Sequence, residues 1–134
     1  MGKKIGRNER ILFPELNILT DAKVDTGAWR SSIHVDGYEL IDDKLFFWIG
    51  DKKNCYIYEK YKIVKVKSSF GKIQKRFSIK LKVKLGDKIY HVLFSLSNRK
   101  NMKFPCLIGR KFLQKFNFVV DVRKKNLHDR LKEV

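Results

Sequence analysis

One short segment of the chain has residue types that suit acid–base chemistry: Asp25-Thr26-Gly27-Ala28, which directly follows the apolar stretch 22–24. A strand that ends in a small-residue turn presents a carboxylate at its edge, where the carboxylate is able to take or donate a proton. Gly27 allows the backbone to approach that carboxylate closely and to reach φ values that other residues avoid. For a lone Asp-Thr-Gly, however, an ordinary turn after a strand is the commoner explanation.

Hydrolysis by carboxylates alone requires two of them, because one activates a water as a base while the other donates a proton to the substrate carbonyl. Two carboxylates about 3 Å apart cannot both ionise, so they titrate as a pair. The chain holds a single Asp-Thr-Gly, and the nearest second candidate, Asp121, lacks the Thr-Gly that makes the loop. The second carboxylate must then come from another copy, which predicts a two-fold symmetric homodimer.

Each residue of the segment has its own expected task in such a dimer. Asp25 supplies the carboxylate, and the N–H group of Gly27 faces it. Thr26 hydrogen-bonds across the dimer axis and holds the two loops together, while Ala28 is small enough to lie beneath a bound substrate strand. These tasks require strands on both sides of the loop.

Strands are what most of the sequence predicts, because apolar residues recur with period two. The predicted strands are 11–13, 16–25, 31–35, 45–49, 62–67, 79–85, 89–94, 107–109 and 118–122. The alternation is strict over 79–85, where lysines face water and aliphatic residues face inward. Only 110–116 has apolar residues at helical spacing. We therefore predict a small, closed, mostly antiparallel β-barrel with one short helix.

Length and charge restrict the class of protein further. With 134 residues, we expect a single domain over 1–134, with a core at about 10–122 and a basic, frayed tail over 123–134. Thirty-one Lys and Arg residues against 14 Asp and Glu residues give a net charge of +17. This charge predicts attraction to nucleic acid, an anionic membrane or an acidic polypeptide, although a merely solubilising surface explains it equally well.

Cysteines and hydrophobic runs point to a protein of the cytoplasm. Cys55 and Cys106 are too few for a disulfide scaffold, and Cys106 is expected to be a buried thiol. The N-terminus lacks an apolar signal region, and no run approaches the roughly 18 residues of a membrane span. We therefore expect a soluble, cytoplasmic protein with no membrane partner.

Several segments in the same order carry a resemblance to a known family. They are residues 22–28, 31–34, 66–71, 98–105, 107–113 and 118–121. Together they resemble the bacterial retropepsin-like aspartic proteases, over about residues 10–122. This branch carries an old label of ATP-dependent zinc protease, and it is associated with an ATP-grasp enzyme that adds glutamate to a ribosomal protein.

The resemblance implies an acid-protease barrel, with Asp25, Thr26 and Gly27 as catalytic residues. It also implies a flap over 68–75, a hairpin that closes over substrate, for which an ordinary exposed hairpin is the alternative. The residues expected to contact substrate are Ala28, Trp29, Ser68, Ser69, Phe70, Gly71 and Ile108. Gly109 and Arg110 are expected to support the loop or the dimer, with Arg110 forming an ion pair there; a solvent-exposed arginine at a helix start is the alternative.

Two features depart from the pattern of the retroviral enzymes. Lys23 lies two residues before Asp25, on the same face of a regular strand, and an ammonium there weakens the role of the carboxylate as an acid. The bacterial branch carries Lys at this position as well. Trp29 stands where a smaller or polar residue is typical, so it lines a substrate pocket or packs in the interface.

The sequence supports neither the zinc nor the ATP dependence in the old label of the family. His34, His91 and His128 form no metal-binding pair, and no glycine-rich phosphate loop is present, so we expect neither a metal nor a cofactor.

The first hypothesis for function is an aspartic endopeptidase that acts as a homodimer on a polypeptide, which the positive charge predicts to be acidic. The second, less favoured, is a non-catalytic basic module that binds RNA, the ribosome or acidic protein tails through the lysines at 65, 67, 80, 82 and 84. A functional link to ribosomal-protein modification follows from the resemblance alone.

Overall fold

The computed structural model describes residues 2–67 and 70–129. Strands dominate, as the period-two pattern predicts. In chain order they are β1 (Lys3–Gly6), β2 (Asn8–Phe13), β3 (Ile18–Val24), β4 (Ser31–His34), β5 (Gly37–Ile41), β6 (Lys44–Trp48), β7 (Cys55–Tyr58), β8 (Lys62–Lys67), β9 (Ile73–Leu85), β10 (Lys88–Ser97), β11 (Cys106–Ile108) and β12 (Phe118–Asp121). One helix, α1 (Arg110–Lys115), lies between β11 and β12.

Six strands close into a barrel in the order β10-β4-β11-β3-β2-β9, and β9 pairs with β10 to complete the circle. The predicted small β-barrel with one short helix is therefore confirmed. The pairings of β3 with β11 and of β4 with β10 are parallel, and the other four are antiparallel. Strand β11 thus separates β3 from β4, the two strands that flank the Asp-Thr-Gly loop.

Every second side chain in the alternating part of β9 points inward and packs in the barrel interior. Ile79, Leu81 and Val83 are at most 1% exposed, while the lysines between them face solvent. Phe13 and Phe94 meet edge to face in the same core, with ring centroids 5.1 Å apart. Burying each of these large side chains stabilises the fold by roughly 1.5–3 kcal/mol, so the core gives the loop a rigid support.

The hairpin of β8 and β9 extends beyond the barrel, because only the second half of β9 pairs with β10. The first half pairs with β8 from Ser78 to Ile73. At its tip, Phe70 is 90% exposed and Gly71 adopts a φ of +81°. This hairpin is the predicted flap segment. The predicted substrate contacts Ser68 and Ser69 lie outside the described residues.

Two smaller sheets surround the barrel, and the sequence predicted only part of them. Strands β5, β6 and β7 form an antiparallel sheet, of which only β6 was predicted. Its first turn places Asp42 and Asp43 at φ values of 50° and 62°, a conformation that Asp tolerates better than most residues. Strand β1, also not predicted, pairs in parallel with β12.

The basic tail is packed further than predicted. Glu9, which is fully buried, accepts hydrogen bonds from the N–H groups of Gly6 (2.7 Å), Leu127 (3.2 Å) and His128 (3.0 Å). The N–H of Asn126 also donates to a backbone carbonyl of β2. The expectation that the tail frays from residue 123 is therefore wrong as far as residue 129, because a buried carboxylate binds its backbone.

Helix α1 lies where the apolar spacing predicted it, and it buries Phe112 and Leu113 against the barrel. None of the described residues forms a helix with the length and hydrophobicity that a membrane crossing requires.

Candidate active site

The loop that carries Asp25 begins where β3 ends beside β11. Val24 and Ile108 are register partners in this parallel pair, and the Asp25 N–H donates to the Ile108 carbonyl at 2.9 Å. The last ladder bond of the barrel thus fixes the backbone of the acidic residue itself. The Asp25 side chain is half-buried, so its carboxylate is held by the fold yet open to a ligand.

Within the loop, the backbone turns back onto the carboxylate. The N–H of Gly27 donates to Asp25 Oδ1 at 2.9 Å, the contact expected of it, and the N–H of Ala28 donates to the Asp25 carbonyl at 3.3 Å. The expected use of unusual φ values at Gly27 is wrong, because its φ lies outside the left-handed region. What glycine supplies there is space, since a Cβ atom would stand 3.2 Å from Asp25 Oδ1.

The far side of the loop is tied to the start of α1. The N–H groups of Arg110 and Lys111 donate to the carbonyls of Ala28 (2.7 Å) and Trp29 (3.0 Å). Gly109 makes this approach feasible, because a Cβ atom there would lie 2.6 Å from the backbone C and O of Arg30. The predicted supporting role of Gly109 thus has a geometric cause.

Arg110 reaches the loop with its side chain as well. Its Nη1 donates to the Thr26 carbonyl at 2.8 Å, and its guanidinium lies 5.4 Å from the centre of the Trp29 ring. Within residues 2–67 and 70–129 Arg110 forms no ion pair, so the pair expected near the loop is not made within one chain, where a backbone carbonyl takes the place of the carboxylate. An ion pair across the dimer interface stays a prediction. The alternative of an arginine free in solvent is wrong.

Thr26 and Trp29 stand on the outside of the single chain. Thr26 is exposed, and Trp29 is 43% exposed despite its size. Beside Thr26 lies a groove of about 490 Å³ that is also lined by Leu113, Phe118 and Val120. An exposed aromatic ring and a partly apolar groove around the loop are typical of surfaces that pack against another chain.

The remaining predicted substrate contacts fall into two places. Phe70 and Gly71 lie at the tip of the β8–β9 hairpin, and their approach to substrate stays a prediction. Ile108 is only 2% exposed, so its side chain belongs to the core and not to a substrate surface. Its carbonyl supports Asp25 instead.

The sequence suggested no role for Arg99. This residue lies close enough to Asp25 for the carboxylate to favour the charged form of the arginine. Burial lowers the pKa of Arg99, and the neighbouring Arg76 acts in the same direction, while Cys106 and Asp25 oppose this shift. The Nε of Arg99 donates to the Phe104 carbonyl at 3.0 Å, which fixes the side chain. Only its place in a segment that matched the family, 98–105, signalled it in advance.

Arg99 is also positioned through its backbone. Its N–H donates to Nδ1 of His34 at 2.8 Å, and Nε2 of His34 lies 3.1 Å from Asp36. The N–H of Gly50 holds the pKa of the Asp36 carboxyl below its usual range, helped by His34, against a smaller opposing effect of burial. Both ring nitrogens of His34 are thus occupied, which leaves none for a metal.

A cluster of metal ligands is absent from the part of the chain that the structure describes, and one of its two cysteines is buried. No group of three His, Cys, Asp or Glu side chains converges there. Cys106 is completely buried, as predicted, and burial raises the pKa of its thiol to about 12.

Comparisons with known proteins agree with this geometry. Residues 4–131 match the RimB-like family, described as retropepsin-like aspartic endopeptidase RimB. A crystal structure of a protein of unknown function from Legionella pneumophila superimposes with a TM-score of 0.77, at 30% identity, over 96% of this chain and all of the other.

Curated relatives have a different name and a greater length. Two proteins named probable alpha-L-glutamate ligase, from Desulfotalea psychrophila and Shewanella halifaxensis, are 35% and 30% identical over 81% and 80% of this chain. The matched part is 26% of each of them, so the chain spans about a quarter of their length. Since the match to the RimB-like family extends over nearly the whole chain, the protein belongs to the RimB-like family of retropepsin-like aspartic endopeptidases.

Proposed function

We propose that the protein is an aspartic endopeptidase that works as a homodimer, with one Asp25 from each subunit. The observation that carries this proposal is the Asp25–Gly27 loop: the backbone N–H of Asp25 donates to the Ile108 carbonyl, and its half-buried carboxylate accepts from the Gly27 N–H at 2.9 Å. One chain supplies one such loop, and peptide hydrolysis that relies on carboxylates alone needs two of them.

In the proposed mechanism, the two Asp25 carboxylates share a single proton. The ionised carboxylate takes a proton from a water molecule, which attacks the carbonyl carbon of the scissile peptide bond. The protonated partner donates to the carbonyl oxygen, and proton transfer to the leaving nitrogen then completes the cleavage. The Gly27 N–H keeps Oδ1 in one orientation, so the loop requires little reorganisation during the reaction.

The surface around Thr26 supports the proposed dimer. Thr26 is exposed in the single chain, its carbonyl is held by Arg110, and the groove lined by Leu113, Phe118 and Val120 lies beside it. A symmetric contact at this surface would bring two copies of the loop together, with Thr26 bonding across the axis.

Lys23 remains compatible with this mechanism. It is exposed on β3, and within the described residues it forms no ion pair with Asp25. We propose that Lys23 faces the substrate side of the site and contributes to attraction of anionic chains without neutralising the catalytic pair.

An acidic polypeptide is the proposed substrate, because the chain has a net charge of +17. The relatives named as glutamate ligases give this proposal a chemical context, since such a ligase makes glutamate-bearing products. A functional link to such a modification, including that of a ribosomal protein, belongs to the same proposal.

A subunit-mixing experiment tests the shared site. Wild-type protein is mixed with rising amounts of Asp25→Asn protein, and cleavage of acidic and basic peptide libraries is followed at low and high salt. Because a mixed dimer holds one carboxylate, activity per wild-type subunit should fall as the inactive chain is added. The control is Asp21→Asn, an exposed carboxylate on the same strand, which should not inhibit.

Activity that depends only on the amount of wild-type chain, whatever the excess of Asp25→Asn, would show that each chain cleaves alone and would refute the shared pair. Equal cleavage of both libraries at low salt would remove the acidic substrate from the proposal while leaving the mechanism intact.

A further inference from the structure

A large cavity on the outer side of the barrel is separate from the Asp25–Gly27 loop. It measures about 820 Å³ and lies between β9 and β10, helix α1, and residues 59–62, which lead into β8. Its apolar lining includes Val92, Leu93 and Phe112. A concave, partly apolar space of this size is typical of ligand sites. We call it the outer cavity.

The outer cavity is lined by an unusual concentration of cations. They are Arg30, Lys60, Lys62, Lys80, Lys111 and Lys115. Only two carboxylates, Asp43 and Glu59, accompany them, and Glu59 already lies 3.6 Å from the ammonium of Lys44. Like charges gathered around one concavity raise the local concentration of ligands of the opposite sign.

A buried hydroxyl gives independent evidence that the outer cavity accepts a polar ligand. Ser78 is 1% exposed and lines the cavity, yet its Oγ has no hydrogen-bond partner in the described part of the chain. The neighbouring Ser95 differs, because its Oγ donates to the Ser31 carbonyl at 3.2 Å. Buried hydroxyls are nearly always paired, so Ser78 is suited to donate to a bound acceptor.

The position of the cavity connects it to the catalytic loop. Arg30 and Ser31, which line one end, follow Trp29 directly along the chain, and the Ser31 Oγ accepts from the Gly109 N–H at 3.0 Å. A peptide bound at the loop could therefore extend from it into the outer cavity.

We propose that the outer cavity binds carboxylate side chains of an acidic polypeptide segment that lies beyond the bond to be cleaved. This inference rests on the proposed peptidase function for its biological meaning. Carboxylates are favoured over nucleic acid because the aromatic rings at the site are already packed: Tyr61 against Phe77, and Phe116 against Tyr90. Phe112, the third Phe or Tyr ring that lines the cavity, stacks on Phe118. Among the described residues no lining Phe or Tyr ring is therefore left to stack with bases, which single-stranded nucleic acid binding usually requires.

Binding to the full chain, carrying Asp25→Asn to prevent cleavage, tests the proposal. Fluorescence anisotropy of a labelled hexaglutamate peptide is measured at low salt for this protein and for a Lys80→Glu/Lys111→Glu variant. The control is Lys84→Glu/Lys88→Glu, which changes the net charge equally at exposed lysines outside the cavity. We expect at least a tenfold loss of affinity for the cavity variant and less than a threefold loss for the control.

Ser78→Ala provides a second variant that leaves the charge unchanged, and we expect it to weaken hexaglutamate binding several-fold. Equal losses in the two lysine variants would mean attraction to net charge alone and would overturn the proposal. Tighter binding of hexauridylate than of hexaglutamate, with the same loss in the cavity variant, would also overturn it in favour of nucleic acid.

The failure of this inference is distinguishable from that of the proposed function. If the cavity variant loses binding while the protein with an intact Asp25 cleaves nothing, the proposed peptidase fails and the acidic-segment site stands. If the protein cleaves acidic peptides and the cavity variant cleaves them as efficiently as the Lys84→Glu/Lys88→Glu control does, the peptidase stands and the outer cavity has no part in it.

Discussion

The Nη1 of Arg110 donates a hydrogen bond to the carbonyl of Thr26 at 2.8 Å, so the first residue of α1 holds the centre of the Asp25–Gly27 loop. The same guanidinium lies over the Trp29 ring at 5.4 Å. One side chain therefore contacts both the centre of the loop and Trp29 just after it, in the segment that is proposed to meet its copy across the dimer axis.

Replacing Arg110 should weaken the dimer more than it weakens the fold. A hydrogen bond from a charged donor contributes about 1.5–3 kcal/mol, and 1.4 kcal/mol is about a tenfold change in an equilibrium constant. We expect Arg110→Ala to raise the dimer dissociation constant about tenfold or more, as measured by sedimentation equilibrium. Lys111→Ala, a neighbouring exposed cation, is the control. Identical dissociation constants for both variants would contradict a role of Arg110 in presenting Thr26.

Gly109→Ala should destabilise the protein and reduce its activity together. A Cβ atom at this position would lie 2.6 Å from the Arg30 backbone and 2.8 Å from the Trp29 carbonyl. Because backbone atoms on both sides must move, we expect a loss of about 1–3 kcal/mol in the free energy of unfolding. Urea titration measures this loss, with Gln114→Ala on the exposed side of α1 as the control. A fully stable Gly109→Ala protein would refute the close approach.

The buried carboxylate of Glu9 should matter far more than a surface one. Its carboxylate accepts from three backbone N–H groups. In an amide, one of the two accepting oxygens becomes an NH2 group, which would face a backbone N–H with no acceptor between them. We expect Glu9→Gln to lower the free energy of unfolding by about 2 kcal/mol or more.

The matched control for Glu9 is Glu39→Gln, which removes an exposed ion pair with Lys52 at 2.7 Å. Exposed pairs contribute about 0–1 kcal/mol, so that variant should remain close to wild type. Proteolysis near residues 124–128 should increase only in Glu9→Gln; unchanged protection there would show that Glu9 does not hold the tail.

Asp36 should make the stability depend on acid. The Gly50 N–H and His34 lower the pKa of Asp36 in the folded state. The contribution of the ionised Asp36 to the free energy of unfolding is therefore complete above the unfolded pKa, about 3.8, and is lost as the pH falls through the lower folded pKa. Asp36→Asn should therefore be less stable than wild type at pH 6, with the difference shrinking below about pH 3.8. Thermal unfolding across this range checks the sign, and a difference that grows in acid would contradict it.

Much of the barrel was predictable because its strands are amphipathic. The alternation from Ile79 to Leu85 fixes which face is buried, and Gly86-Asp87 fixes the turn that follows, where Gly86 has a φ of +63°. The missed strands lack this signal. In β5 four of the five residues are exposed, so its pairing with β6 depends on tertiary contacts that a local pattern does not encode.

The sequence indicated which residues make up the candidate site, but not which contacts support them. Asp25, Gly27 and Arg110 were recognisable from motif and order. The contact of Arg110 with a carbonyl, the space needed at Gly109 and the proximity of Arg99 to Asp25 join residues about 70 to 85 positions apart, which only the closed barrel brings together. Ile108 was expected to contact substrate because it lies within a matching motif, but its side chain is part of the hydrophobic core.

The central claim is that two copies of the chain bring their Asp25 carboxylates together. Its most direct test is the separation of those carboxylates in a crystal structure of the dimer, with sedimentation showing the same dimer in solution. A shared pair of carboxylates should place their oxygen atoms within hydrogen-bonding distance, about 3 Å apart across a two-fold axis. A dimer that holds the two Asp25 side chains far apart, or a chain that stays monomeric at crystallisation concentrations, would contradict it.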